Sequence, residues 1–222
     1  GGEDNHYTFE YVNGTLTVEK KVVTITAKDA TIVYGTKLED VTFAYSSDQY
    51  IRDEITVTFT APNYSTTLGA GNTVDLIPYT ESENYEYWFA KGKLTVVKRT
   101  LTASASDQTI CFGDNPSDIT VTYTGFAEGE NLNVLDQHPE TSDNYAPGVS
   151  GIGTYTMVVS GGYDDNYTFN YVSATITVVK RPVTVKVVDA TIVYGSSLDT
   201  VTLDYDGSEL VGNHNSLITL SV

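Results

Sequence analysis

Polar residues alternate with β-branched or aromatic residues along most of the chain. This two-residue period is that of a β-strand with one buried face. The first clear example places Val23, Ile25 and Ala27 on one face, and the equivalent faces are Leu101, Ala103 and Ala105, then Val183, Val185 and Val187. The pattern predicts a mainly β fold with little helix, in which each of these strands is buried on one side.

A second kind of strand carries alternating aromatic residues and precedes a turn and an aliphatic strand. The aromatic positions are Tyr7, Phe9 and Tyr11; Tyr85, Tyr87 and Phe89; and Tyr167, Phe169 and Tyr171. The aliphatic positions are Leu16 and Val18; Leu94 and Val96; and Ile176 and Val178. The intervening pair Asn13-Gly14 is a strong signal for a type I′ hairpin turn, which needs positive φ at both positions. Lys91-Gly92 is a weaker signal, and Ser173-Ala174 favours a looser turn.

The remaining elements complete a unit of about five to seven strands. Strands are predicted to end at sharp bends at Tyr34-Gly35, Phe112-Gly113 and Tyr194-Gly195, and to resume at residues 41–45, 119–123 and 201–205. Residues 129–135 form the one segment that favours a short helix, and residues 153–159 are predicted to form the next strand.

The chain repeats itself. Tyr7, Tyr85 and Tyr167 recur at spacings of 78 and 82 residues, and the block Asp29–Gly35 returns unchanged as Asp189–Gly195. A period of this size is typical of tandem small domains. Taking the basic pairs Lys20-Lys21, Lys98-Arg99 and Lys180-Arg181 as seams predicts two complete repeats, residues 21–98 and 99–180. Residues 1–20 are then the C-terminal part of a preceding repeat, and residues 181–222 are the N-terminal part of a following one.

The two outer segments leave several hypotheses open. The chain is an excerpt cut in another phase, or the folded unit is permuted and exchanges strands with its neighbours. In a third hypothesis the first segment of one molecule completes the last segment of the next, because unpaired strand edges permit such head-to-tail self-association. No stretch is apolar and long enough for a membrane span, and no signal peptide is present, so we expect an interior part of a longer secreted protein.

The net charge of the chain disfavours two classes of binding partner. Twelve basic and 29 acidic residues give a formal net charge of −17. Nucleic acids and anionic membranes are bound by clustered Lys and Arg, so both are disfavoured as partners. Half of the basic residues stand in the three seam pairs at the same place in each repeat, which indicates a structural role rather than a binding patch.

The residue types of active sites are sparse. Cys111 is the only cysteine and replaces the valine of the sister repeats, so a small apolar packing role is favoured over a nucleophile. His6, His138 and His214 occupy non-equivalent positions, and none has a partner at a spacing typical of catalytic or metal sites. We therefore expect a non-enzymatic protein without a cofactor.

An acidic turn recurs before each aromatic strand, at Glu3-Asp4-Asn5, at Glu81-Ser82-Glu83 and at Asp164-Asp165-Asn166. Clustered carboxylates with turn carbonyls form one kind of Ca²⁺ site. Solvated turns rich in turn-forming residues account for the same pattern, and this interpretation is favoured.

Aromatic residues provide the other candidate binding feature. Most of the seventeen tyrosines lie on the alternating aromatic strand. Packing of the ring in the core, with the hydroxyl group in contact with solvent, accounts for them. Trp88 is out of phase with Tyr87 and Phe89, and its equivalents are the polar residues Glu10 and Asn170. A tryptophan at a solvent-facing position predicts a contact with a neighbouring repeat or with a partner, such as a sugar ring or a protein.

The recurring motifs resemble the MBG and YDG-type repeats of large bacterial surface proteins and adhesins. The motifs are N-Y-T-F-x-Y at Asn166–Tyr171, Y-G at Tyr34-Gly35 and Tyr194-Gly195, Y-x-G-F at Tyr123–Phe126 and G-T-Y at Gly153–Tyr155. Residues 99–180 match the pattern best. Residues 21–98 depart from it, with Tyr45-Ser46-Ser47 in place of Y-x-G and Gly71-Asn72-Thr73 in place of G-T-Y.

The resemblance implies tandem β-rich modules with an Ig-like sandwich or a β-grasp-like fold. It also implies an extracellular location on the cell surface or cell wall of a bacterium. The implied role is that of an adhesin stalk, spacer or cell-adhesion module. The alternative is a carbohydrate- or glycoprotein-binding module that uses exposed aromatic residues. Neighbouring repeats, and a host glycan or protein, are the partners that follow from these two interpretations.

Overall fold

The computed structural model describes residues 1–189, 191–197, 202–205 and 207–212, and it separates into two compact units, Gly1–Val97 and Lys98–Val222. The first unit contains seven strands, β1 Lys21–Ala27, β2 Ala30–Val33, β3 Tyr45–Ser47, β4 Thr58–Thr60, β5 Thr73–Tyr79, β6 Tyr85–Ala90 and β7 Gly92–Val97.

The described residues of the second unit form a complete set of equivalent strands and two further ones. They are β8 Arg99–Ser104, β9 Gln108–Cys111, β10 Thr122–Thr124, β11 Glu140–Asp143, β12 Gly153–Ser160, β13 Tyr167–Val172, β14 Ala174–Val179, β15 Val185–Val187 and β16 Leu203–Tyr205. The fold is mainly β, as the sequence predicted. Within the described ranges, helix is limited to 3₁₀ turns at Leu38–Asp40, Leu132–Val134 and Gly207–Glu209.

Both repeats have the same topology. The sheets are ordered β3-β1-β6 and β2-β7-β5-β4 in the first unit, and β10-β8-β13 and β11-β12-β14-β9 in the second. In each repeat the first strand pairs in parallel with the aromatic strand, and the second strand pairs in parallel with the aliphatic strand. In the first repeat the segment β1–β2 therefore runs beside the segment β6–β7, and each segment contributes one strand to each sheet. The segments β8–β9 and β13–β14 do the same in the second repeat, which gives a sandwich-like arrangement. The expected short helix after the second strand is a single 3₁₀ turn at Leu132–Val134, too short to cross a sheet as a β-grasp helix does.

The predicted buried faces form the cores of the two complete repeats. Val23, Ile25 and Tyr85 form one buried cluster, and Met157, Ile176 and Val178 belong to another. Removing a side chain of this size from water stabilises the fold by about 1.5–3 kcal/mol. The third copy differs, because Val185 is exposed, whereas the prediction placed it on a buried face.

The predicted hairpins are wrong. The aromatic and aliphatic strands follow each other directly but belong to different sheets, so the chain does not reverse between them. Asn13, Gly14, Lys91, Gly92 and Ser173 all lack the positive φ that a type I′ turn requires. The small residue serves another purpose: a Cβ on Gly92 would lie 2.7 Å from the carbonyl oxygen of Ala27, so glycine permits a close crossing of two backbones.

Residues 1–20 also depart from the prediction, since they contain no β-strand. Leu16 and Val18, expected on a buried face, are exposed. The equivalent side chains Leu94 and Val96 are buried on β7, where β2 and β5 pair with both edges of the strand. The aliphatic side chains of this pattern are therefore buried only where neighbouring strands pair with the segment that carries them.

The strands after the Tyr-Gly bends begin later than predicted. They cover Tyr45–Ser47, Thr122–Thr124 and Leu203–Tyr205, and Val201 lies outside the described residues. The bends themselves occur as predicted, because Gly35, Gly113 and Gly195 have φ values of 76°, 89° and 90°. Such left-handed geometry favours glycine.

Candidate functional site

Trp88 lies on β6, the edge strand of its sheet. The alternation of the strand directs Tyr85 into the core, whereas Trp88 is 65% exposed. Its cross-strand neighbour in the parallel pairing with β1 is Thr24. An exposed indole beside a small polar side chain leaves a ring face available for a partner, although the role of Trp88 as a contact stays a prediction.

The opposite face of β6 carries a ladder of aromatic rings. The ring centroids of Tyr85 and Tyr87 are 5.9 Å apart, those of Tyr87 and Phe89 are 6.4 Å apart, and Tyr79 approaches Phe89 to 5.7 Å. The ladder runs from the buried Tyr85 to the exposed Tyr79. These contacts agree with the packing role expected for most tyrosines, and they leave Trp88 outside the ladder.

Two tyrosines hydrogen bond to nearby carboxylates at the surface. The Tyr79 hydroxyl donates to Glu81 over 3.2 Å, and the charge of Glu81 together with this bond raises the pKa of Tyr79. The Tyr163 hydroxyl donates to Asp165 over 2.6 Å, and this bond and the Asp165 charge raise the pKa of Tyr163. A carboxylate disfavours a neighbouring phenolate, so both hydroxyls stay protonated at neutral pH.

The seam lysines have a shared structural contact that the sequence did not identify. Lys20 Nζ donates to the carbonyl oxygen of Ser82 over 3.1 Å, and Lys98 Nζ donates to the carbonyl oxygen of Asp164 over 2.9 Å. The two carbonyls occupy equivalent repeat positions. Each lysine therefore ties the start of a repeat to the turn before its aromatic strand. At the third seam, Arg181 donates to the carbonyl oxygen of Phe112 over 2.9 Å and also to the Asp114 carboxylate.

The recurring acidic turns are held by one type of local hydrogen bond. Asp4 Oδ1 accepts from the backbone N–H of His6 over 2.8 Å, and the buried Asp164 accepts from the N–H of Asn166 over 2.6 Å. Ser82 Oγ accepts from the N–H of Asn84 in the same way, over 3.2 Å. These bonds favour the turn-forming interpretation of the acidic segments. Among the described residues no group of three or more His, Cys, Asp or Glu side chains could hold a metal ion.

A second repeated aspartate stabilises the point where the chain passes between sheets. Asp29 Oδ1 accepts from the N–H of Lys93 over 2.8 Å, and Asp107 Oδ1 accepts from the N–H of Thr175 over the same distance. The repeat made this aspartate visible in the sequence, since Asp189 occupies the same place in the third copy. Its partner could not be read there, because it lies 64 or 68 residues away.

The remaining candidate residues are scattered. Cys111 is a free, half-buried thiol on β9. His6 and His138 are exposed, and His214 lies outside the described residues. In the part of the chain that the structure describes, no helix is long and apolar enough to cross a membrane.

Comparison with known proteins supports the resemblance of the motifs. Residues 101–177 match the family model of the MBG domain, YGX type. This segment is similar to an MBG domain. It comprises nearly all of the second repeat and includes the Y-x-G-F and G-T-Y motifs. No curated protein sequence matches the chain significantly.

Two solved structures show a distant similarity. The crystal structure of Drosophila N-cadherin EC1-4 is 12% identical, with a TM-score of 0.27 over 85% of this chain and 58% of that one. The crystal structure of Drosophila N-cadherin EC1-3 is 12% identical, with a TM-score of 0.24 over 72% of this chain and 64% of that one. The chain thus spans less than two thirds of either cadherin fragment. Similarity at this level does not bear on function.

Proposed function

We propose that the chain is a non-enzymatic part of the repeat array of a bacterial cell-surface protein, where it acts as a stalk, spacer or cell-adhesion module. The match of residues 101–177 to the MBG domain carries this proposal, because such a domain fits an extracellular, adhesion-related repeat. The shared topology of the two complete repeats supports it, since tandem copies of one small domain lengthen a protein without adding a new fold.

The charge of the chain supports an exposed location. A formal net charge of −17 keeps a chain solvated and resists nonspecific association. The seam contacts support a structural role for Lys20 and Lys98, because both bind backbone carbonyls within their own units.

Protease shaving of intact bacteria that make the full-length protein tests the location. Peptides from residues 99–180 are expected in the supernatant of whole cells, while a cytoplasmic marker protein stays uncut. If these peptides appear only after cell lysis, the surface location is wrong.

A second function is favoured by the exposure of Trp88 on an edge strand. Here the first unit binds a glycan or glycoprotein through stacking on the indole ring. A glycan array is probed with the wild-type chain, with Trp88→Ala and with Tyr50→Ala, a control at another exposed aromatic residue of the same unit. Specific binding lost only in Trp88→Ala supports this function, and an array without hits, or hits that survive Trp88→Ala, contradicts it.

A further inference from the structure

We propose that the groove beside β4 binds an extended peptide of another protein, one that alternates apolar and basic residues and adds to β4 as a new strand. β4 stands last in the sheet order β2-β7-β5-β4. A groove of about 520 Å³ lies against it, lined by two segments, residues 38–39 with 41–43 and residues 57–59. Trp88 is not among the lining residues, so this site is separate from the exposed indole.

The backbone groups of Phe59 point away from β5. The N–H of Val96 on β7 donates over 2.9 Å to the carbonyl oxygen of Asn72, the residue before β5. Alternate residues of an antiparallel strand direct their backbone groups to the same neighbour, so the even-numbered positions of β5 face β7. Pro78, which lies opposite Phe59 and has no N–H, is one of these positions. The N–H and C=O of Phe59 therefore point to the groove side of β4, where an added strand bonds to them.

The groove has an apolar floor. The ring centroids of Phe43 and Phe59 are 5.6 Å apart, and both side chains are half-buried. Val57 lies on the same face of the strand as Phe59 and packs against the buried core of the first unit. Every second side chain of an added strand faces the same way. One set of peptide side chains therefore lies over Phe43 and Phe59, and apolar residues are expected there because they complete the burial of these rings.

The second repeat lacks these features at the same edge. Phe59 lies opposite the buried Pro78, and Thr141 lies opposite the equivalent buried residue Val159, so Thr141 takes the place of Phe59. The residue before it is Glu140, and the whole of β11 is exposed. A charge on an edge strand opposes the addition of another strand. β4 carries no charge, so the first repeat is the copy whose edge accepts a peptide.

The charge of the groove and of the chain selects the occupant. Among the described residues that line the groove, Glu39 alone is charged. The peptide side chains that do not lie over the rings point to solvent, where lysine or arginine is attracted to Glu39 and to a chain with a formal net charge of −17. A second copy of the chain carries the same negative charge and is disfavoured for the same reason. The partner is therefore a different protein with a basic, extended segment.

A fluorescently labelled peptide of alternating valine and lysine tests the proposal by anisotropy titration against the whole chain. One peptide is expected to bind to each chain, because the edge of the second repeat carries Glu140 and lacks the phenylalanine. A peptide of alternating valine and glutamate has the same strand pattern with the opposite charge and is expected to stay unbound. Absence of binding by the lysine peptide at millimolar concentration, or equal binding of the two peptides, overturns the proposal.

Two variants and one control locate the peptide. Phe59→Thr introduces the residue of the second repeat and is expected to weaken binding about tenfold or more, since a buried aromatic contact is lost. Its urea midpoint, read from Trp88 fluorescence, shows that the variant is folded. Glu39→Lys replaces an exposed side chain and is expected to weaken binding of the lysine peptide by repulsion. Trp88→Ala is the control and is expected to leave binding unchanged. Binding that survives both groove variants, or that is lost in Trp88→Ala, overturns the proposal.

Amide hydrogen exchange followed by NMR tests the strand pairing. The N–H groups of Thr58 and Thr60 bond to β5 and are expected to be protected in the free chain. The N–H of Phe59 is expected to exchange quickly in the free chain and to become protected when the lysine peptide binds. A bound peptide that leaves the Phe59 N–H unprotected, or that shifts resonances centred on Trp88 instead, overturns the proposal.

Discussion

Replacing Gly92 with alanine tests the crossing of two backbones that the structure shows in place of a hairpin. Gly92 opens β7, where the chain passes from one sheet to the other. A Cβ at this position would lie 2.7 Å from the carbonyl oxygen of Ala27 and 2.9 Å from that of Lys28. Both contacts are with backbone atoms, so a side-chain rotation cannot relieve them.

The expected magnitude follows from two opposing effects. Overpacking of a buried site costs about 1–3 kcal/mol. Alanine gains about 0.5–1 kcal/mol over glycine in a strand, because the unfolded chain loses less conformational freedom on folding. The steric cost is the larger, so Gly92→Ala is expected to lower the free energy of unfolding of the first unit by about 1–2 kcal/mol.

The second repeat offers a matched variant. Ala174 occupies the equivalent position and is 3% exposed, so its methyl group already packs there. Ala174→Gly removes one buried methyl group, worth about 0.8 kcal/mol, and adds the glycine entropy cost of about 0.5–1 kcal/mol. Gly92→Ala is therefore expected to destabilise the first unit, and Ala174→Gly is expected to destabilise the second unit, although one variant adds a methyl group and the other removes one.

Urea unfolding separates the two effects. Trp88 is the only tryptophan, so its fluorescence reports the first unit, whereas circular dichroism reports strands in both units. Gly92→Ala is expected to lower the fluorescence midpoint, and Ala174→Gly is expected to leave it unchanged while it lowers the stability seen by circular dichroism. If Gly92→Ala is as stable as the wild-type chain or more stable, the close crossing is wrong.

Three further predictions concern packing, a repeated hydrogen bond and a tyrosine. Leu94→Ala is expected to cost about 2–5 kcal/mol of unfolding free energy because Leu94 is fully buried, whereas Leu16→Ala costs almost nothing because Leu16 is exposed; urea titration of both variants checks this. Asp107→Ala is expected to cost about 1 kcal/mol in the same assay, since a backbone N–H on β14 loses its acceptor; an unchanged midpoint contradicts it. The pKa of Tyr163 is raised, so its protonated form is favoured on folding, and this stabilisation is present below pH 10.0 and lost as the pH rises above it. Carbon-13 NMR titration of labelled tyrosine is expected to show the Tyr163 pKa falling toward 10.0 in Asp165→Asn, and an unchanged pKa refutes the assigned cause.

Much of the fold could be predicted because alternation is a local property of the chain. The exposure of Trp88 beside the buried Tyr85 follows from their opposite phase on one strand, and the bend at Gly35 follows from a repeated Tyr-Gly pair. The turn at Asn13-Gly14 could not be predicted correctly, since a local hairpin signal competes with pairing to distant strands. The contact of Lys20 with Ser82 joins residues 62 positions apart, and no local pattern indicates it.

The sequence by itself determined the strand content, the repeat, the buried faces within each complete copy and the resemblance to MBG domains. These depend on residue type and spacing, which the chain carries locally. Only the tertiary structure decided that consecutive strands enter different sheets, that Gly92 serves a backbone crossing, and that equal sequences have unequal burial. Leu94 is buried and Leu16 is exposed because burial requires neighbouring strands, and for Leu94 these come from distant parts of the chain.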